Sequence, residues 1–134
     1  MCQSGPPTEP TGFAKLLGCV TLGQFNPEKR EYIVEVGPLN PQATNFFGTL
    51  HGGAILGLCD DFCGMLIYYV YGVNSAATID VKSKIQYKAP VRTTSKLVFD
   101  CRITAEMPGI IYMWVTVFAN GKAIADMTAT WHKR

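Results

Sequence analysis

From Ala54 to Val70 the chain carries only two charges, the adjacent Asp60 and Asp61, and is otherwise apolar, aromatic or Gly. A helix that is apolar on every side is either buried or membrane-spanning. A span needs roughly 20 predominantly apolar residues, and two carboxylates in mid-segment are expensive in lipid. The flanking segments read as strands of a soluble domain. The stretch is therefore expected to be a helix buried in a globular core, without membrane contact. Two acids on such a helix are costly unless they are paired, neutralised or used.

The residues ahead of this run, Asn45-Phe-Phe-Gly-Thr-Leu-His51-Gly52-Gly53, place the helix start near His51 or Gly52. Free backbone N–H groups at a helix N-terminus favour negative charge. Glycines there let a ligand approach the backbone closely. The same glycines also suit plain tight packing of helix on sheet, and both readings stand at this level.

A chain of 134 residues fits one domain with a substantial core. With 48% hydrophobic and 16% charged residues it is not disordered, and a net charge of +2 does not suggest nucleic acid as a partner. Cys2, Cys19, Cys59, Cys63 and Cys101 are odd in number and make no disulfide framework. Cys59 and Cys63 lie one helical turn apart without further ligands nearby, so buried reduced thiols are expected rather than a metal site. That fits a reducing compartment, the cytoplasm. Residues 1–12 are rich in Pro and Gly and resemble no targeting signal, so a frayed tail is expected there, followed by one domain over 13–134. Residues 13–17 can add a short helical turn.

Two segments, Cys19–Phe25 and Arg30–Val36, show the period-2 alternation of strands around the turn signal Asn26-Pro27. After the helix, Ala77–Tyr87 is rich in β-formers and closes on Pro90, which cannot continue a central ladder. Leu97, Phe99, Cys101 and Ile103 alternate with charged residues, and Met107-Pro-Gly109 turns the chain back. Segments 111–119 and 122–131 flank Asn120-Gly121, a strong short hairpin signal. The order β-β-α-β-β-β-β with short late connections predicts an α+β fold, a curved antiparallel sheet wrapped around one long buried helix.

That order, together with Asn45, His51-Gly52-Gly53 and an acid nine residues after the His, resembles the hotdog-fold acyl-CoA thioesterases from about residue 18 onward. It looks most like the phenylacetyl-CoA-type branch, while Lys82-Ser-Lys-Ile-Gln-Tyr-Lys-Ala-Pro90 is also similar to a less characterised group of thioesterase-like domains. The resemblance implies hydrolysis of an acyl thioester of coenzyme A or a carrier protein, with coenzyme A as part of the substrate and no separate cofactor. It implies Asp60 as base or nucleophile and the Gly52 N–H as oxyanion donor, with His51 and Asn45 orienting water or the thioester carbonyl. It also implies a Ser or Thr on the strand after the helix. Counting forward from His51 points near Thr78, and counting back from Pro90 points at Asp80. Gly53, Thr78, Lys82 and Asp61 complete the expected substrate-binding set. Pairing through the Ala77–Tyr87 strand would give a homodimer, or a dimer of dimers.

The chemistry is consistent on its own terms. Thioester hydrolysis needs an activated water or nucleophile and donors for the developing oxyanion. A carboxylate in an apolar site has its pKa raised and becomes a better base. Successive helical residues are about 100° apart, so Asp60 and Asp61 lie on different stripes, both apolar. The spacing from His51 favours Asp60, and Asp61 is left a polar pairing role. Phe62, Met65, Leu66 and Ile67 offer apolar lining for an acyl group. Lys82, Lys84, Lys88, Arg92 and Lys96 form a loose basic run, either a solvated face or a contact for the phosphates of coenzyme A. His132 reads as a solvated strand end, and Trp114 and Trp131 as core or interface.

Two other classes use similar residues. Acyl hydratases or dehydratases also occur on hotdog folds, but the His-Phe-Pro-Gly-like text of the carrier-protein dehydratases is missing here. A non-catalytic acyl-binding or regulatory module would keep the pocket and need no acid on the helix.

Overall fold

The computed structural model describes residues 12–18, 21–72 and 78–133, with only the backbone at 21, 22, 78–80 and 133. Among these residues the order is α1 (Gly12–Leu16), β1 (Thr21–Asn26), β2 (Glu31–Val36), α2 (Gly52–Tyr71), β3 (Thr78–Tyr87), β4 (Leu97–Met107), β5 (Ile110–Ala119) and β6 (Lys122–Lys133). The frayed tail expected over residues 1–12 lies, apart from Gly12, outside them. The short turn expected over 13–17 is α1.

The strands form one antiparallel sheet in the order β1-β2-β4-β5-β6-β3. Alternation decides its faces. Tyr32, Val34 and Val36 of β2, Leu97, Phe99 and Cys101 of β4, and Ile111, Met113, Val115 and Val117 of β5 are all buried. Asp100 and Arg102 fall on the other face, where Arg102 bridges Asp100 at 2.7 Å and Glu31 at 3.0 Å. The Asn120-Gly121 turn has φ of 53° and 76°, the left-handed pair that a tight hairpin between right-twisted strands requires.

The helix expected to be buried is buried along nine residues, from Ala54 and Ile55 through Leu58, Cys59, Phe62, Cys63, Leu66 and Ile67 to Tyr69. Phe62 meets Phe99 and Tyr32, and Tyr69 stacks on Phe25 at 5.1 Å. By length and composition α2 could cross a membrane, but this face lies against the sheet. The opposite face is open in the single chain: Gly53, Asp60 and Tyr68 are exposed. One patch of it is covered by α1, whose Phe13 ring sits where a Cβ on Gly57 would be, 2.6 Å away.

Among the described residues β3 pairs with β6 alone and forms an edge of the sheet. Its register shifts between Ile79 and Lys82, so Asp80 and Val81 together oppose Trp131. This bulge adds one residue to β3 and accounts for half of the two-residue mismatch between the counts from His51 and from Pro90. Trp131 is in the core, whereas Trp114 lies 44% exposed on the outer face. His132, expected to be solvated, is half-buried and in register with Ile79 and Ile110.

Candidate active site

α2 begins at Gly52 because His51 caps it. His51 has extended backbone (φ −64°, ψ 130°), and its Nδ1 accepts the Gly53 N–H at 2.8 Å. One of the helix's orphan donors is thereby satisfied by a side chain, the usual task of Ser, Thr, Asn or Asp. The His51 carbonyl accepts the Ala54 N–H at 3.0 Å. The Gly52 N–H makes no hydrogen bond among the described residues. A donor is therefore available at the helix entrance, as oxyanion stabilisation demands.

The loop leading in is rigidly tied. Asn45 Oδ1 accepts from the Phe47 and Thr49 N–H groups at 2.9 and 3.1 Å, and its Nδ2 donates to Thr49 Oγ1 at 2.8 Å. Most of the Asn45 side chain thus holds the loop, and one N–H of its amide is left for a ligand. The same turn displays Phe46 and Phe47, 97% and 84% exposed. Leu50 N–H donates to the Val91 carbonyl at 2.7 Å, fastening the loop to the segment after β3.

From the end of β3 comes a residue that sequence reasoning missed. Tyr87 donates its hydroxyl to the Gly52 carbonyl at 2.6 Å. Its ring occupies the space a side chain at Gly52 would need: an added Cβ would lie 2.9 Å from Cζ. Nothing in the alternation of β3 distinguishes Tyr87 from any aromatic at a strand end; its role follows from the strand's position beside the helix start.

Asp60 and Asp61 lie about two turns further along α2. Asp60 is exposed in the single chain and Asp61 half-buried. Partial burial holds both carboxyls above their ordinary range, and the Asp60 charge lifts Asp61 further. The expected acyl lining needs correction: Phe62, Leu66 and Ile67 are buried in the core against the sheet, because they share the face that the sheet covers. On α2 the apolar and aromatic residues left at least partly open are Leu56, Met65, Tyr68, Val70 and Tyr71.

The basic run is not one patch. Lys88 pairs with Asp126 at 2.8 Å and Lys96 with Glu35 at 3.7 Å. Lys82 and Lys84 are exposed on β3, Lys82 across from Thr130. Arg92 lines a cleft of about 470 Å³ with Lys122, Ser95 and Thr49, beside the loop that enters α2. Thr78 opens β3, but its side chain and that of Asp80 lie outside the described residues. Cys59, Cys63 and Cys101 are free and buried; burial pushes the Cys59 thiol up to about 12, so it stays protonated and unreactive. Among the described residues no three His, Cys, Asp or Glu side chains are grouped to hold a metal ion.

The family model of the thioesterase superfamily matches residues 47–121, from the entry loop through the β5–β6 turn. The chain belongs to the thioesterase superfamily. It is 31% identical over 123 residues to acyl-coenzyme A thioesterase 13 of Mus musculus, covering 90% of this chain and 84% of the mouse protein. Solved structures with the same fold include a variant of the phenylacetic acid degradation protein PaaI from Thermus thermophilus (TM-score 0.76, 20% identity, 91% of this chain and 98% of the other). Another is smu.793 from Streptococcus mutans UA159 bound to acetyl CoA (TM-score 0.73, 24% identity, 87% and 88%). This is the hotdog arrangement, and the thioesterase match spans the whole of α2 with both its entrance and its two acids.

The electrostatics of α2 give a test. Carboxyls raised in the folded state bind protons more tightly than in the unfolded chain, so stability falls as pH rises through the raised pKa. Asp61→Asn removes that penalty. It should raise the melting temperature at neutral pH, and the gain should vanish below the ordinary carboxyl value of 3.8. Thermal melts of both proteins against pH check this. A gain that persists in acid, or a loss at neutral pH, contradicts it.

Proposed function

We propose that this thioesterase hydrolyses acyl-CoA thioesters at a site shared between two chains, with the Gly52 N–H as oxyanion donor and Asp60 as base or nucleophile. Water adds across the C–S bond, the acyl carbon gains the hydroxyl, and the thiol of coenzyme A leaves with the proton. The mouse relative's name and the acetyl CoA held by the Streptococcus mutans protein favour coenzyme A over a carrier protein as the thiol. The free core thiols suit a reducing, cytoplasmic setting.

The observation that carries the reading is a separation. Gly52 and Asp60 are eight residues apart on one helix, about 12 Å along its axis. Side chains lean toward the N-terminus and recover part of this, but an Asp reaches only a few Å. Donor and attacking group must both come within about 3 Å of one reacting centre. A two-fold dimer that sets the Gly52 end of one helix opposite Asp60 of the other supplies that geometry twice. The open edge of β3 and the exposed Val81, Tyr87, Phe46 and Phe47 are surface that a second chain would cover. Two such dimers stacking would make a tetramer.

In this arrangement the acyl carbonyl lies against the Gly52 N–H of one chain. Asp60 of the other, lifted by desolvation, accepts a proton from water or attacks directly. Asp60→Asn should lower kcat at least ~10²-fold, the low end of acid–base effects, whereas Asp61→Asn should cost far less. Thiol release from a panel of acyl-CoA substrates measures both, and equal losses in folded variants would sink the assignment.

The entrance donor can be isolated because Tyr87 crowds it. Gly52→Ala introduces the Cβ that meets the Tyr87 ring and keeps the N–H. Gly52→Pro introduces the same Cβ and removes the N–H, at the first helical position where Pro is tolerated. His51, with ψ of 130°, already has the backbone that a residue before Pro prefers. The Pro variant should therefore lose a further ~10²-fold in kcat relative to the Ala variant, the usual loss for one oxyanion donor. Equal turnover in the two would return Gly52 to a packing role.

A further inference from the structure

Three hydrogen-bonding groups at the helix entrance form one continuous chain. The Tyr87 hydroxyl donates to the Gly52 carbonyl at 2.6 Å. That carbonyl belongs to the same peptide unit as the Gly53 N–H, which donates to His51 Nδ1 at 2.8 Å. A hydrogen bond accepted by a peptide carbonyl polarises the unit and strengthens its own N–H as a donor. An Nδ1 that accepts cannot carry the proton, so in neutral His51 the proton sits on Nε2. His51 is exposed, and Nε2 makes no hydrogen bond among the described residues.

The start of the chain is firmly anchored. Tyr87 is the last residue of β3, in register with Ala125 of β6, and the next two N–H groups, of Lys88 and Ala89, donate to the Ile124 carbonyl at 2.8 and 3.3 Å. Its ring packs closely enough on Gly52 that a Cβ there, 2.9 Å from Cζ, would have to displace it. Burial, and then the neighbouring Cys59 thiol, raise its phenol, so it remains a donor through neutral pH. The far end is equally fixed, since the His51 N–H donates to the Ala43 carbonyl at 2.9 Å.

We propose that Tyr87 is a positioning residue of the thioesterase reaction, holding His51, through the Gly52–Gly53 peptide, as the tautomer that presents an Nε2–H donor to the substrate. The claim rests on the functional reading above and adds a residue to it. It explains why a His, rather than a Ser or Asp, caps α2: the ring closes the helix with one nitrogen and keeps a directed donor on the other. It also gives Gly52 a second reason to lack a side chain, because any Cβ would push the phenol off the carbonyl.

The test uses Tyr87→Phe, which keeps the ring on Gly52 and removes only the hydroxyl. Histidine labelled with ¹⁵N reports the tautomer directly, and since the chain has two histidines, His132→Gln leaves one set of imidazole signals. With the ring neutral, His51 should be predominantly the Nε2–H form in the wild-type background, and the Nδ1–H form should grow several-fold in Tyr87→Phe. In thiol-release assays kcat should fall about 3–10-fold, the worth of one neutral hydrogen bond, with KM changed less than about twofold. A dominant Nδ1–H form in the wild-type background, or a tautomer ratio unmoved by Tyr87→Phe, overturns the proposal. So does a variant that loses thermal stability while keeping full kcat, the signature of a purely structural tie. Should no acyl-CoA be hydrolysed by the wild type, the functional reading fails, and the tautomer measurement still decides whether Tyr87 sets the state of His51.

Discussion

Phe62 meets Phe99 edge-on at 5.1 Å and Tyr32 at 6.5 Å, and this aromatic contact in the middle of α2 sets which side of the helix faces the sheet. Cys59 and Phe62 both point inward, so the two residues between them are turned outward by the 100° step of the helix. Each large apolar side chain buried on the inner face contributes about 1.5–3 kcal/mol. An unpaired carboxylate on that face would cost several times more. The adjacent acids are thus held where water, substrate or a second chain can reach them, yet close enough to the apolar helix for desolvation to raise both.

The same packing sets the entrance. The helix lies along the sheet with its first turn beside the end of β3, where Tyr87 reaches the Gly52 carbonyl. Loop, cap and strand end are joined by backbone bonds from Leu50 to Val91 and from His51 to Ala43. An entrance fixed this way offers the Gly52 N–H without reorganisation, which is what the oxyanion role proposed for it requires. What the single chain does not bring together is that donor and the carboxylate. The division follows from their separation of eight residues along the helix and the shortness of Asp.

Much of the fold was legible because it rests on local rules. Alternation along β4 and β5, the Asn120-Gly121 turn and the apolar run of α2, whose two mid-segment acids argue against a membrane span, are local signals, and the strands and helix appear where they put them. The helix start at His51 and Gly52 was legible too, from a glycine pair ahead of an apolar run. Other features depend on which elements become neighbours. Tyr87 matters because β3 ends beside Gly52, thirty-five residues away in sequence. Phe62, Leu66 and Ile67 looked available for an acyl group until the sheet covered them. The basic run dissolved once Lys88 and Lys96 found Asp126 and Glu35 on neighbouring strands. The bulge at Asp80 and Val81, which confused the residue count along β3, shows only in the register against β6.

The central claim is that one chain cannot assemble the reaction centre, and subunit mixing tests it most directly. Asp60→Asn chains and Gly52→Pro chains, each inactive alone, are mixed in equal amounts and allowed to exchange, with heterodimers counted by native mass spectrometry. A heterodimer then holds one intact site, formed by the Gly52 of the first variant and the Asp60 of the second. Half of the dimers being mixed, the account predicts recovery of about a quarter of wild-type activity. No recovery despite demonstrated heterodimers, or full activity from a wild-type monomer, would contradict it.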